Sequence, residues 1–301
     1  MNIRFDNKVA IITGAGIGLG KGYALYLACR GARVIVNDLG GAKDGSGTSV
    51  APAQSVVEEI KSLGGEAIAN YNDVSTVEGA DNIIKDAIEA YGTVDILINS
   101  AGILRDKSFL KMDLKDFESV LGVHLLGTVY MTKAAFPIMC EKGYGRIVNT
   151  TSAAGLYGNF GQTNYGSAKM GIVGFMNSLK LEGQKYNILI NTVAPIAATR
   201  MGEGIYPEPL LQLLKTEHVA TLVAYLCSDQ CTVSGEIISA GGGYFAKVQI
   251  IEGKGVCFDP REEVTPEMIA ERYDDITNME GAKHYSSAME EVMAMFKHLM
   301  G

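Results

Sequence analysis

Residues 149–171, NTTSAAGLYGNFGQTNYGSAKMG, hold a hydroxyl, a phenol and an amine at spacings suited to one reaction centre: Ser152, Tyr165 and Lys169. Tyr165, Ala168, Lys169, Ile172 and Val173 recur at three- and four-residue steps, which places Tyr165 and Lys169 one turn apart on a single helical face. A free phenol titrates near ~10, too high for a base at neutral pH, and an adjacent ammonium in a partly dry cleft favours the phenolate. Lys169 is therefore expected to make Tyr165 a general base. Ser152 ends an expected strand, 145–151, where its hydroxyl can hydrogen-bond an oxygen whose charge changes during reaction. Tyr-x-x-x-Lys alone arises by chance in many helices. A serine thirteen positions before Tyr165, at a strand end, makes the set far more specific.

The rest of the chain must position these groups. A β-rich run, 8–13, enters TGAGIGLG at 13–20, and a helical pattern follows through Arg30. Strand, glycine turn and helix form the phosphate-binding corner of a dinucleotide fold. Gly14, Gly18 and Gly20, with Leu19 between the last two, allow pyrophosphate to approach backbone N–H groups closely. A second strand, 33–37, ends at Asp38, 18 residues after Gly20, near the offset of a carboxylate that grips the adenosine ribose. Such a carboxylate repels a 2′-phosphate, so NAD is favoured over NADP, a preference that Lys43 in the next loop softens. The glycine- and serine-rich stretch 40–49 is expected to be a flexible surface loop.

Helix, strand and helix follow at 51–63, 66–71 and 76–91. Between them, Asn72, Asp73 and Val74 at a strand end either reach adenine or begin the next helix, with Asp73 or Ser75 as its cap. A strand at 94–98 ends in Asn99-Ser100-Ala101-Gly102, small residues that let a cofactor cross the sheet edge, and one long helix is expected over 113–141. Beyond the active-site helix, a strand at 188–193 reaches Pro195 and Thr199. Residues 200–209, with two glycines and two prolines, fit a lid. A helix over 210–229 and a strand over 235–240 complete the pattern. Alternating strands and helices imply an α/β, Rossmann-type doubly wound sheet of seven parallel strands with helices on both faces. This gives a dinucleotide-binding and catalytic domain at 1–247 and a C-terminal extension at 248–301. In the extension a hairpin is expected at 248–258, then a short helix capped by Thr265 before Pro266, then a helix starting at Ser286 or Ser287. The methionine-rich face of that last helix is expected to pack on the same domain or on a partner subunit.

Composition narrows the partners. The 301 residues carry 26 basic and 34 acidic side chains, a net charge of −8 with no basic block, which argues against nucleic acid or an anionic membrane and for a small-molecule substrate. No apolar run approaches the ~20 residues needed to span a bilayer. The N-terminal sequence passes directly into a strand, so a cytoplasmic protein is expected. Five cysteines (Cys29, Cys140, Cys227, Cys231, Cys257) without a C-x-x-C pair indicate neither a disulfide framework nor a metal site.

Taken together, these motifs resemble the short-chain dehydrogenase/reductase family: its G-x-x-x-G-x-G turn, its N-N-A-G with Ser100 in place of the second Asn, and its Ser, Tyr-x-x-x-Lys set. VHLLG at 123–127 matches the family's V-N-x-x-G, which puts His124 in the place of a fourth catalytic residue, usually Asn. His124 then holds the water that links the lysine to solvent, conducts protons itself with a pKa near neutrality, or serves only structure. Ile196 replaces the family's glycine after Pro195, and Thr199 comes one position early for the usual carboxamide-binding threonine. The stretches VIVNDLGG, AGILRDKSF, LYGNFGQTNYGSAKMGIVG and APIAATRM are similar to the (3R)-hydroxyacyl-CoA dehydrogenase units of peroxisomal multifunctional enzymes type 2. That resemblance implies reversible oxidation of a (3R)-hydroxyacyl-CoA to a 3-ketoacyl-CoA, with hydride passing to NAD. Tyr165 would take the hydroxyl proton, Ser152 would hydrogen-bond the substrate oxygen and Lys169 would hold the nicotinamide ribose. Leu104, Tyr157, Phe160, Met201 and Tyr206 would form an apolar substrate wall, and helices at 113–141 and 163–185 would pair two copies into a homodimer. Arg105, Lys107, Arg200 and Lys247 read as solvated charges more readily than as a phosphate site. Two other readings stay open: a dehydrogenase of another secondary alcohol, such as a steroid or an aromatic-acid-derived CoA thioester, and a non-catalytic nucleotide-binding scaffold.

Overall fold

The structure, a computed structural model, describes residues 2–199 and 207–300. The chain divides into two compact units, residues 1–247 and 248–301. In the first, β1 (Val9–Thr13), α1 (Gly18–Ala28), β2 (Arg33–Asn37), α2 (Ala51–Ser62), β3 (Glu66–Asn70), α3 (Val77–Tyr91) and β4 (Ile96–Asn99) alternate. Then come α4 (Leu114–Leu121), α5 (Gly127–Lys142), β5 (Gly145–Thr150), α6 (Ala153–Tyr157), α7 (Thr163–Gly183) and β6 (Ile188–Pro195). The unit closes with α8 (Glu208–Leu211), α9 (Thr216–Cys227), β7 (Ile237–Gly241) and β8 (Tyr244–Val248), which runs into the unit boundary.

The strands form one sheet in the order β3-β2-β1-β4-β5-β6-β7-β8. β1 to β7 pair in parallel, with Ile12 opposite Ile98 and Val148 opposite Asn191. Parallel strands covered on both faces read as continuous apolar runs, and every residue of VAIIT in β1 and ILIN in β4 is buried. Fully buried Ile11, Ile12, Ile35, Ile96 and Leu97 each contribute about 1.5–3 kcal/mol by leaving water. The order reverses between β1 and β4, and ligands of such sheets bind in the crevice beyond the strand ends at that switch point. At those ends the amides of Asn37 and Asn70, and of Asn99 and Asn149, hydrogen-bond across neighbouring strands at 2.9 Å. Asn99 is thus committed to the sheet.

Four expectations change. The helix expected over 113–141 is interrupted at Gly122–Leu126 by a π-helical turn, in which Gly127 N–H reaches Gly122 C=O. One extra residue there turns His124 inward, to 2% exposure. The helix expected over 210–229 is split because Ala198 N–H takes the Leu214 C=O at 2.7 Å and Lys215 is extended. An eighth strand follows β7 through Gly242 and Gly243, whose φ of 58° and 82° give the two-residue turn of an antiparallel hairpin. The hairpin therefore spans Ile237 to Val248 and ends where the expected one begins. Loop 40–49 is internally bonded: Ser49 N–H closes it on Leu39 C=O at 3.0 Å, and Ala42 N–H crosses it to Ser46 C=O at 2.8 Å.

In the second unit Glu252 pairs with Lys283 in an isolated antiparallel bridge, which takes backbone groups that a 248–258 hairpin would use. α10 (Pro266–Glu271) is capped by Thr265, whose hydroxyl accepts from Met268 N–H. α11 (Tyr273–Ile276) and α12 (Ala288–Met300) follow, with the Ser287 hydroxyl accepting from Glu290 N–H. No helix among the described residues is long and apolar enough to cross a membrane.

Candidate active site

The crevice between β1 and β4 opens into a cavity of about 430 Å³. Thr13 Oγ1 accepts from both Ser100 N–H and Ala101 N–H, at 3.0 and 3.1 Å, and so brings the end of β4 against the glycine turn. Gly14 has φ of 65°, and a Cβ there would lie 2.7 Å from Ala101 Cα. A side chain at this position would separate the two loops. Gly14, Gly18, Leu19 and Gly20 all line the cavity. Ile17, the N-cap of α1, makes no side-chain capping bond, so the first N–H groups of the helix are left for an anion.

Asp38 lines the opposite wall. Its two oxygens accept from Gly16 N–H at 2.8 Å and Gly40 N–H at 2.7 Å, which fixes the plane of the carboxylate. Asp73 and Val74 also line the cavity, but neither Asp73 nor Ser75 caps α3. Thr76 does, accepting from Gly79 N–H at 3.0 Å, while Asp73 Oδ1 takes the N–H and hydroxyl of Ser75. Ala101, Gly102 and Thr199 lie on the cavity wall, with Thr199 against Gly18. Asn99 and Pro195 are not among the lining residues. Asn72, expected with Asp73 and Val74 at the strand end, lines the cavity as well; residues that the sequence reading missed include Thr150, whose place at the end of β5 could have signalled it, and Ser119 and Val123, which only the packing of α4 and the turn after it brings in. A glycine cradle, uncapped helix N–H groups and an oriented carboxylate fit a dinucleotide.

The reactive set lies where β5 ends and α7 begins. Ser152 is the N-cap of α6, accepting from Ala154 N–H at 3.2 Å, and its hydroxyl lies near enough to the Tyr165 phenol to favour the phenolate. Asn164 Oδ1 accepts the Tyr165 N–H at 2.7 Å. Lys169 is buried, with Nζ donating to Thr150 C=O at 2.7 Å and lying 5.5 Å from the Tyr165 ring centroid. His124 stands edge-on to that ring, centroids 5.1 Å apart. Its Nε2 faces both the N–H and the C=O of Ile103, at 3.1 and 2.8 Å, and its buried Nδ1 has no protein partner.

The charges differ from the sequence expectation. Burial raises the Tyr165 phenol above its ordinary range; the nearby Ser152 hydroxyl opposes this and the Asp106 carboxylate adds to it. Burial likewise pushes Lys169 down to about 7. Desolvation outweighs the expected pull of the ammonium on the phenol. Burial, then the Lys169 charge, hold His124 well below its usual value, so its imidazole is neutral instead of titrating near pH 7. The depressed lysine has a consequence for stability. Between about 7 and the ordinary 10.5 the unfolded chain holds a proton that the folded chain lacks, so stability rises with pH over that window, and below it the cost of the buried charge is present in full. A Lys169→Met variant is expected to lose this dependence, read as Tm against pH for the two proteins. Parallel curves would contradict it.

Of the expected substrate wall, Leu104 is half-buried, and Tyr157 and Phe160 are exposed. Met201, Tyr206, Arg200 and most of the expected lid lie outside the described residues. Arg105 and Lys107 are both paired with Asp116, at 3.1 and 2.9 Å, and Lys247 pairs with Glu236 at 2.8 Å. These charges are already engaged within the protein.

Comparison with known proteins agrees with this geometry. A protein of Mycobacterium tuberculosis named as a short-chain type dehydrogenase/reductase is 49% identical over 278 residues, 92% of this chain and 96% of that protein. The peroxisomal multifunctional enzyme type 2 of Drosophila melanogaster is 47% identical over 290 residues, 96% of this chain. The chain spans 48% of that enzyme's length. The solved structure of the full-length Drosophila enzyme superposes with a TM-score of 0.85 at 38% identity, covering 99% of this chain and 50% of that one. A 7α-hydroxysteroid dehydrogenase solved with NADH and a 7-oxo bile acid superposes with a TM-score of 0.72 at 32% identity, covering 80% of this chain and 96% of that one. Residues 8–208 match the short chain dehydrogenase family model. With that match and the Ser152, Tyr165 and Lys169 constellation, the chain belongs to the short-chain dehydrogenase family, oxidoreductases that act on a CH–OH group with a nicotinamide cofactor.

Proposed function

We propose that the chain is an NAD-dependent dehydrogenase that interconverts a (3R)-hydroxyacyl-CoA and a 3-ketoacyl-CoA. The observation that carries the chemistry is the Tyr165 phenol, half-buried near the Ser152 hydroxyl, beside buried Lys169 and edge-on to His124. The thioester rests on the likeness to the multifunctional enzymes type 2. Ser152 orients the substrate oxygen and stabilises its changing charge. Tyr165 takes the carbinol proton during oxidation and returns it during reduction. When bound, the nicotinamide ring supplies the hydride acceptor. Lys169, with a pKa of about 7, exchanges protons readily at neutral pH. His124 stays neutral and presents its unpartnered Nδ1 to a relay water. A homodimer through α5 and α7 belongs to the same reading, and Met170 and Leu181 are exposed apolar residues on α7.

NAD is assigned because Asp38 is fixed by Gly16 and Gly40 where a 2′-phosphate would meet its carboxylate. Like charges so placed cost several kcal/mol, which corresponds to a preference for NAD over NADP of about 10²-fold or more. Asp38→Ala is expected to narrow the ratio of kcat/KM values at least tenfold, and an unchanged ratio would remove Asp38 from the assignment.

The steroid reading is favoured by the likeness to the 7α-hydroxysteroid dehydrogenase. NADH formation from a panel of hydroxyacyl-CoA thioesters, free secondary alcohols and hydroxysteroids separates the two. Selective turnover of thioesters supports the proposal, and turnover of steroids alone overturns its substrate class.

A further inference from the structure

The cofactor cavity is walled on one side by loop 40–49, through Gly41, Ala42 and Gly45, and on the other by Ser119 and Val123 of α4 and the turn after it. Arg105 lines the cavity between them. Its Nε donates to Asp44 C=O at the loop tip at 2.8 Å, and its Nη1 donates to Asp116 Oδ1 and Ser119 Oγ, each at 3.1 Å. One guanidinium thus ties the loop to α4 across the mouth of the cavity. Beside it, Leu104 N–H donates to Lys43 C=O at 2.9 Å, and Gly45 packs so closely on Ile103 that a Cβ there would lie 3.0 Å from its Cγ2.

Internal bonding lets the loop move as a body. Its neck is closed between Ser49 and Leu39, and Gly40 at the neck has φ of 72°. Compact loops with closed necks are frequently functional, and loops that close over a ligand often set the rate of its release. The strap that carries Arg105 continues toward the reactive set. Arg105 C=O accepts from Asn164 Nδ2 at 3.0 Å, and the same Asn164 fixes Tyr165 N–H through Oδ1. Lys107 N–H reaches Gly161 C=O at 2.9 Å, and Gln162 reaches Asp106 at 2.7 Å.

We propose that Arg105 is a positioning residue that latches loop 40–49 over the cofactor cavity and sets how fast the reduced nucleotide leaves. The inference rests on the nicotinamide-cofactor reading but not on which alcohol is the substrate. The rigid fork of arginine serves the Asp44 carbonyl and the α4 side chains at once. A lysine can keep the Asp116 pair but lacks the second donor group. An ordinary exposed ion pair would do little to nucleotide release.

The test is stopped-flow release of NADH from the full chain, chased with excess NAD and followed by NADH fluorescence, for wild type, Arg105→Ala and Arg105→Lys. Hydrogen exchange of residues 40–49 is measured in parallel. Arg105→Ala is expected to release NADH at least tenfold faster and to raise the KM for NAD about as much, with the substrate KM within twofold and faster exchange in the loop but not in β1. Arg105→Lys is expected to behave like the alanine variant. Wild-type release from a folded Arg105→Ala overturns the latch, and so does full rescue by Arg105→Lys, which would reduce the role to charge. If Arg105→Ala does not fold, Ser119→Ala removes one anchor and is expected to speed release two- to threefold, with no change counting against the latch. A wild-type protein that binds no NADH overturns the cofactor reading and the latch with it, whereas bound NADH with unaltered release overturns the latch alone.

Discussion

Tyr165→Phe is expected to lower kcat for alcohol oxidation by about 10²- to 10⁴-fold, the usual contribution of a positioned acid or base, while NADH affinity stays within about twofold of wild type. Only the phenolic oxygen is lost. The ring keeps its edge contact with His124 and its place beside Lys169. Ser152 still caps α6 through Ala154 N–H, so the fold has no reason to change. Because burial raises the phenol, deprotonation limits oxidation at neutral pH, and the wild-type oxidation rate should climb as pH rises above neutrality. The residual rate of the variant should lack that rise. Retention of more than a tenth of wild-type kcat would remove Tyr165 from the chemistry.

The second large effect is expected from Gly102→Ala. A Cβ at this position would overlap the His124 imidazole, with Cε1 nearest and both ring nitrogens at 2.9 Å. The ring cannot retreat easily, because Ile103 holds Nε2 through its backbone and Tyr165 closes one side. Overpacking of this kind costs about 1–3 kcal/mol. Since Gly102 also lines the cofactor cavity, kcat/KM should fall at least about tenfold. A second substitution, His124→Asn, removes part of the ring and should restore at least half of the lost stability. Residues in contact are coupled by about 0.5–3 kcal/mol, so a double-mutant cycle on Tm and kcat/KM reads the contact directly. Strict additivity would mean that the two residues do not meet as described.

The reactive set was legible in the sequence because its geometry follows from local rules: a four-residue step on one helix joins Tyr165 to Lys169, and a strand end presents Ser152. The seven parallel strands were legible for a similar reason, since strand and helix patterns alternate. What escaped depends on contacts between distant residues. A periodic pattern over 113–141 tolerates one extra residue, so the π turn that buries His124 leaves no local mark. Asp73, Ser75 and Thr76 are all competent caps in one short stretch, and only the chain path selects Thr76. Gly242 and Gly243 read as the end of the sheet, yet their left-handed backbones turn the chain into β8. Charge reasoning from sequence weighed the Lys169 ammonium against the Tyr165 phenol, but burial of both groups decides the direction. Arg105 looked like a solvated charge until the fold brought the Asp44 carbonyl, Asp116 and Ser119 around it.

The most direct test of the proposed activity is the initial rate of NADH formation from matched (3R)- and (3S)-3-hydroxyacyl-CoA thioesters with saturating NAD, at about pH 8, where a carbinol proton is readily taken. The account predicts turnover of the (3R) thioester at least about 10²-fold faster than that of the (3S) form, a discrimination expected of a site that fixes the carbinol oxygen between two hydroxyl groups. Preference for the (3S) form, or no thioester turnover by a protein that binds NADH, would contradict it.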